Sequence, residues 1–280
     1  MKTMSEAAID QRTSPPLAET PDIYGAYPRL SDDQIATLEA GGARRTVATG
    51  ETLVREGERS DYFFVILSGK VAVCTTDDAG NRRVIRVHGP GRFLGELGDL
   101  EGQGAFYTAE AVQPGEVLVV PTERVRALVA HDPVLSDLIL RAYLLRRSLL
   151  IQEESGFRII GSCFDPDTMR LREFAARNRL PHRWIDLERD KHAERVLQRF
   201  AVAPQDTPVV IWGGEVLRNP TNTELARRVG LLLPDTVPDE SDVVVVGAGP
   251  AGLAAAGDGS SDGLRTAATA RVATGWAAGT

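Results

Sequence analysis

The stretch Asp242-Val-Val-Val-Val-Gly-Ala-Gly-Pro-Ala-Gly252 carries residue types suited to holding an anionic cofactor. An uninterrupted run of valines reads as a short strand buried on both faces. Gly247, Gly249 and Gly252 give the G-x-G-x-x-G spacing, with Pro250 and Ala251 inside it. The first glycine permits a tight turn and the second lets backbone approach a pyrophosphate. The third lets helix and strand pack closely, so that the helix N-terminus faces the anion. The competing reading is a chance glycine-rich turn.

Other chemistry-bearing residues are sparse. Cys74 and Cys163 are isolated and the sequence holds no C-x-x-C, which argues against a disulfide framework and against a dithiol redox pair. Cys163 lies in Ser162-Cys-Phe-Asp-Pro-Asp167, whose acids disfavour a thiolate, so a packing role is expected of it. His182 and His192 lack a second ligand at metal spacing and read as surface or strand-end histidines. No catalytic residue and no metal site is assigned.

The elements that must position these residues can be read along the chain. A length of 280 residues suggests two or three domains, and 42% hydrophobic residues suffice for buried cores. A formal charge of −7 argues against nonspecific nucleic-acid binding. No apolar run approaches the ~20 residues of a membrane span, and the polar N-terminus lacks a secretory apolar segment. A cytoplasmic location without membrane or nucleic-acid partners is expected. Residues 1–29 read as a disordered tail. Ser31 reads as the cap of a short helix that ends at Gly41-Gly42.

From Arg45 to Val120, short strands punctuated by glycine recur at 8–12-residue intervals, the pattern of an all-β sandwich or barrel. The Gly50 to Gly57 turn, the Phe64-Val-Ile-Leu-Ser-Gly-Lys-Val71 strand and the Gly89-Pro-Gly-Arg-Phe-Leu-Gly-Glu-Leu97 cassette resemble the cyclic nucleotide-binding domain family. The resemblance implies a phosphate held by backbone amides around Gly95 and Leu97, a ribose hydroxyl accepted by Glu96, and Thr108 at the family's Thr/Ser position. The family's phosphate arginine falls at Ala105. Loss of that charged partner costs on the order of a few kcal/mol. Two readings follow: a docking or regulatory platform without a nucleotide, or an altered ligand held by the Gly95 to Leu97 amides and Gln103.

A helix over 121–130, with Thr122 as its cap, precedes a second one starting at Asp132-Pro133. The second is too apolar for one narrow stripe, so it packs either on the roll or on another copy in a homodimer. Arg141, Arg146 and Arg147 read as its solvated face. From Phe157 to Gly230 the order β-α-β-α-β-β-α, with Thr207-Pro208 at the cis-proline position, resembles the thioredoxin/glutaredoxin fold.

Taken together, the sequence predicts an α+β multidomain chain. A β-roll with flanking helices occupies 30–153, a thioredoxin-like α/β domain 156–232 and a linker 233–241. Residues 242–280 form the start of a Rossmann-type FAD-binding domain. This order resembles fusions of a cyclic nucleotide-binding domain to a thioredoxin reductase-like, FAD-dependent oxidoreductase, in which NAD(P)H delivers hydride to FAD. The end of the sequence reads as truncated, with a disturbed frame after Ala256. Gly257-Asp-Gly-Ser-Ser-Asp-Gly263 should end the helix early, the region after it is too poor in aliphatics for a second strand, and Asp262 is the last acid. The chain is therefore expected to be the regulatory, N-terminal portion of such an oxidoreductase, inactive alone. The alternative is a non-enzymatic cyclic-nucleotide-binding or regulatory module acting on a partner.

Overall fold

The structure is a computed structural model and describes residues 17–76, 82–95, 102–191, 193–231, 241–247 and 250–269. Helix α1 (Asp32–Glu39) opens the β-roll with a capping box: the Ser31 hydroxyl accepts from Gln34 N–H, and the Gln34 side chain accepts from Ser31 N–H. The strands are β1 (Ala43–Val47), β2 (Thr52–Val54), β3 (Tyr62–Ile66), β4 (Lys70–Thr76), β5 (Arg82–His88), β6 (Thr108–Gln113) and β7 (Gly115–Pro121). They form two antiparallel sheets, β1-β7-β3 and β2-β6-β4-β5. Phe64 and Ile66 of one sheet meet Val71, Val73 and Ala109 of the other in the core between them.

Helices α2 (Thr122–His131) and α3 (Pro133–Gln152) close the roll. Thr122 is the first residue of α2, and its N–H donates to Asp61 O at 2.9 Å; Pro121 holds the cap position without a side-chain bond, which corrects the cap expected at Thr122. Asp132 caps α3 through Val134 and Leu135 N–H, both at 3.0 Å. The apolar side of α3, through Leu135, Ile139 and Tyr143, packs on Phe63, Val65 and Phe93.

Residues 17–29 correct the expected tail. Thr20 N–H donates to Val87 O at 2.9 Å, Val87 N–H donates to the Thr20 hydroxyl at 2.9 Å, and Tyr27 is buried. A segment this polar docks because backbone bonding to the β5 edge and one aromatic ring suffice to hold it. Residues 1–16 of that expected tail lie outside the described residues.

The second unit contains β8 (Phe157–Gly161), α4 (Pro166–Arg177), β9 (His182–Asp186), α5 (Ala193–Arg199), β10 (Val209–Trp212), β11 (Glu215–Arg218) and α6 (Asn222–Val229). Its sheet order is β11-β10-β8-β9, with β8 parallel to β9 and antiparallel to β10. The Thr207–Pro208 peptide is cis. Arg170 ties α4 to the segment before α6, donating to Asn219 Oδ1 at 2.9 Å and Asn222 Oδ1 at 2.8 Å. Most of the expected linker, residues 233–240, lies outside the described residues.

The third unit departs from expectation. Strand β12 (Val243–Val246) pairs in parallel with β13 (Thr266–Thr269), joined by α7 (Pro250–Ser261). Two sequence-based expectations fail here, the early helix end and the missing second strand. Each interior glycine weakens α7 by only about 1 kcal/mol, which neighbouring turns absorb. Strand β13 forms from Thr and Ala because backbone pairing with β12 needs no bulky aliphatic group. The price of that composition is exposure: Val244 is 60% and Val246 85% exposed, so the valine run is not buried on both faces.

The turn geometry itself follows the glycines. Gly247 has φ +109°, and a Cβ on Gly252 would stand 1.8 Å from Gly247 O. Gly252→Ala is therefore expected to cost about 1–3 kcal/mol locally and to unlock α7 from β12. Faster amide hydrogen exchange over residues 243–246 checks this, whereas unchanged exchange would contradict the close approach.

Candidate functional site

Two places merit chemical description. The first is the inner pocket of the β-roll. Strands β4 and β5 supply Val73, Ile85, Arg86 and His88 to one wall, and Leu94, Gly95 and Tyr107 supply the next. Helix α3 covers them with Arg146 and Leu150, and Tyr27 enters from the N-terminal segment. The space left between them is about 30 Å³, room for one water molecule.

Arg146 and Arg147 correct the solvated-face expectation. Arg141 is exposed and pairs with Asp137, one turn away. Arg146 and Arg147 are 5% and 4% exposed. Arg146 Nε donates to Ala26 O at 2.7 Å and Nη1 to Gly95 O at 2.8 Å, with its guanidinium 4.3 Å from the Phe93 ring centroid. Arg147 donates to Gln103 Oε1 at 3.1 Å and to Arg179 O at 3.3 Å. Adjacent arginines of one helix thus hold Gly95 of the cassette and Gln103 beyond it.

Arg86 Nε donates to the Tyr27 hydroxyl at 3.1 Å, and Arg86 also pairs with Glu153. Burial, and then the guanidiniums of Arg146, Arg92 and Arg86, hold His88 well below its ordinary pKa, so its ring is neutral. Its Nδ1 has no hydrogen-bond partner among the described residues.

The residues singled out in the sequence fall differently. Gly95 lines the pocket with φ +117°, and its N–H donates to the Tyr107 hydroxyl at 2.9 Å. Glu96 and Leu97 lie outside the described residues. Gln103 is buried against Arg147, away from the residues that line the pocket. Thr108 likewise faces away, its hydroxyl accepting from Glu56 N–H at 3.1 Å.

Ala105 is fully buried, its N–H donating to Glu58 O at 2.9 Å and its carbonyl accepting from Gly57 N–H at 2.8 Å. Beside it, Phe106 stacks on Trp212 at 5.2 Å and belongs to the core of the second unit. Arg228 completes the seam by donating to Gly57 O at 3.1 Å. Glu56 is half-buried at this seam and its carboxyl is pushed up to about 7 by burial, against the pull of Arg158, the Thr76 hydroxyl and Gly213 N–H.

The pocket cations Arg86 and Arg146 were missed in the sequence. A signal existed for Arg146, because it shares the 3–4 spacing of Ile139, Tyr143 and Leu150 on the buried side of α3.

The second place is the turn after β12. Gly247, Ala251 and Gly252 stand at the head of α7, with Pro250 as its first residue, while Gly249 lies outside the described residues. The Gly247 conformation and the close approach of Gly252 to Gly247 O make a tight glycine cradle at the head of α7. The sequence supplies no acid after Asp262 to hold an adenosine ribose. At the head of α4, Cys163 N–H donates to Asp186 Oδ1 at 3.2 Å, and burial, with that carboxylate, raises the thiol pKa away from a reactive thiolate. His182 stacks on Phe157 at the start of β9, while His192 lies outside the described residues. No metal-binding cluster and no helix long and apolar enough to cross a membrane occur among the described residues.

Comparison with known proteins gives the following. Residues 44–132 match the family described as Cyclic nucleotide-binding domain. The chain is 31% identical over 108 residues to the cAMP-activated global transcriptional regulator CRP of Escherichia coli, covering 38% of this chain and 50% of that protein. It is 30% identical over 128 residues to the Cyclic AMP receptor protein of Thermus thermophilus, covering 46% and 57%. Among solved structures, the N-terminal domain of a transcriptional regulator from Streptomyces coelicolor overlaps 43% of this chain and 85% of its own at 29% identity and a TM-score of 0.35. The chain spans about half the length of the curated relatives it matches. Its β-roll and flanking helices are thus a cyclic nucleotide-binding-like module resembling those of CRP-type regulators.

Proposed function

We propose that this chain is a regulatory module whose β-roll senses a cyclic nucleotide or a closely related anion and reports occupancy to the α/β unit over 156–231. The observation that carries the reading is the double clamp of α3, in which Arg146 holds Gly95 and Arg147 holds Gln103 and Arg179. A ligand entering beside Gly95 must disturb Arg146, and any shift of α3 moves Arg147 against the second unit. Arg86 and Arg146 give the pocket two guanidiniums where Ala105 gives none. The ligand class of the curated relatives is extended to this chain. Their role as transcriptional regulators is not, because the residues after α3 form a four-stranded mixed sheet.

A second reading, favoured by the Gly247–Gly252 cradle, makes this module the N-terminal portion of a thioredoxin reductase-like FAD-dependent oxidoreductase. In it, residues 156–231 are a thioredoxin-like domain without its dithiol and residues 242–269 begin a Rossmann-type unit. Bound FAD would supply a two-electron acceptor for hydride from NAD(P)H. The residues of this chain would hold only its pyrophosphate, through the glycine turn and the N-terminus of α7, and no reductase activity is expected.

Calorimetric titration of the purified chain with cAMP and cGMP tests the first reading. Binding is expected to be weak, on the order of tens of micromolar or above, because the cassette lacks its arginine. No heat at millimolar nucleotide would sink it. The visible absorbance of the same preparation tests the second reading: a flavin-free spectrum is expected, and co-purified FAD would show that the cradle suffices without a ribose anchor.

A further inference from the structure

We propose that residues 17–29 are a strap that fills the inner pocket of the β-roll with Tyr27 and must leave before a ligand can enter. The proposal rests on the sensing role assigned to that pocket above, and it concerns regulation of the same site.

The geometry is that of an occupant. Tyr27 is 6% exposed, its ring lies 5.2 Å from that of His88, and its hydroxyl takes the Arg86 Nε hydrogen bond. The Arg146 guanidinium lies 5.4 Å from the same ring while Arg146 Nε is bonded to Ala26 O. Both guanidiniums available to an anion in this pocket are thereby engaged by the strap. With the ring in place the remaining space fits a water molecule and not a nucleotide. The unpartnered Nδ1 of His88, buried in the same wall, marks a polar position that the strap covers without satisfying.

Leu30 anchors the end of the strap in the core of the roll, and the segment before it is held mainly by polar and backbone contacts. Its turn carries Tyr24 and Gly25 in the left-handed region, at φ +53° and +86°. Asp22 fixes that turn by accepting from Gly25 N–H at 3.0 Å and Tyr27 N–H at 2.6 Å. Upstream, Glu19 pairs with Arg92 and Arg29, and Lys70 donates to Leu17 O. Non-glycine left-handed backbone is disfavoured, so the turn depends on Asp22 to persist. Strap closure lowers apparent affinity by the fraction of molecules that are open; a strap closed in about nine molecules of ten costs tenfold.

The test compares full-length wild type, Tyr27→Ala and Asp22→Ala by calorimetric titration with cAMP and cGMP. Far-UV circular dichroism and amide exchange over residues 62–76 confirm an intact roll. Asp22 is exposed and outside the pocket, so its variant answers the question even if Tyr27→Ala does not fold. The expected result is affinity raised about tenfold or more by Tyr27→Ala and a few-fold by Asp22→Ala. Equal or weaker binding by the folded variants, with wild type still binding, overturns the strap and leaves the sensing role standing. Absence of binding by all three proteins overturns both.

Discussion

Replacing Phe106 with alanine is expected to destabilise the β-roll and the α/β unit together, by about 3–5 kcal/mol. Phe106 precedes β6 but is fully buried among residues of the other unit, stacked on Trp212 at an interplanar angle of 23° and 6.4 Å from Phe157. Leu150 of α3 joins the same cluster, so the two units share one core across their junction. Removing a buried aromatic ring loses its transfer free energy and leaves a void that a rigid junction closes poorly. Urea unfolding gives the magnitude, and native-state amide exchange gives the distribution. Amides of β6, β8 and β10 should lose protection in parallel. A loss confined to β6 would mean that the cores are independent.

Glu56→Gln is expected to change how stability depends on pH. The folded carboxyl titrates near 7, above its ordinary 4.5, because burial at the seam penalises the carboxylate more than Arg158, Thr76 and Gly213 stabilise it. A raised folded pKa means that the native state holds the proton more tightly than the unfolded chain. The contribution is therefore fully present below about pH 4.5 and is lost as pH rises through about 7, a loss on the order of 3 kcal/mol. Glutamine stays neutral and should remove most of that decline between pH 5 and 8. His88 acts in the opposite sense: its folded pKa lies below 6.5, so its contribution falls as pH drops below that value. Wild type and variant must therefore be compared at each pH, where the His88 effect cancels. Parallel urea profiles from pH 5 to 8 would show that Glu56 is not half-buried as described.

Much of the architecture was legible because it rests on local rules. The cap at Ser31 and the Asp132-Pro133 start of α3 each follow from residues within a few positions of one another. The site was less legible because its groups come from distant segments. Gly95 could be placed in the pocket from its cassette. Tyr27 could not, since nothing near it in sequence distinguishes a docked segment from a solvated one. Arg146 and Arg147 carry charge, which argues for solvent, and only the crossing of α3 over the cassette makes their burial favourable. Strand β13 was missed for a related reason: its residues bury little, and its parallel partner lies on the far side of a helix.

The seam between the roll and the α/β unit is built in large part where side chains are absent. A Cβ on Gly57 would lie 2.8 Å from Gly213 Cα, one on Gly104 would lie 2.6 Å from Trp212 Cη2, and one on Gly230 would lie 2.8 Å from Gly102 O. Truncation scanning, which removes atoms and records what is lost, finds Phe106 and Trp212 but has nothing to remove at these glycines. Insertion of atoms reveals them, with each added methyl acting as a wedge against the opposing unit. The two units are therefore matched by backbone shape as well as by side chains, and a homologous α/β unit grafted onto this roll would need small residues at the same positions to be accepted.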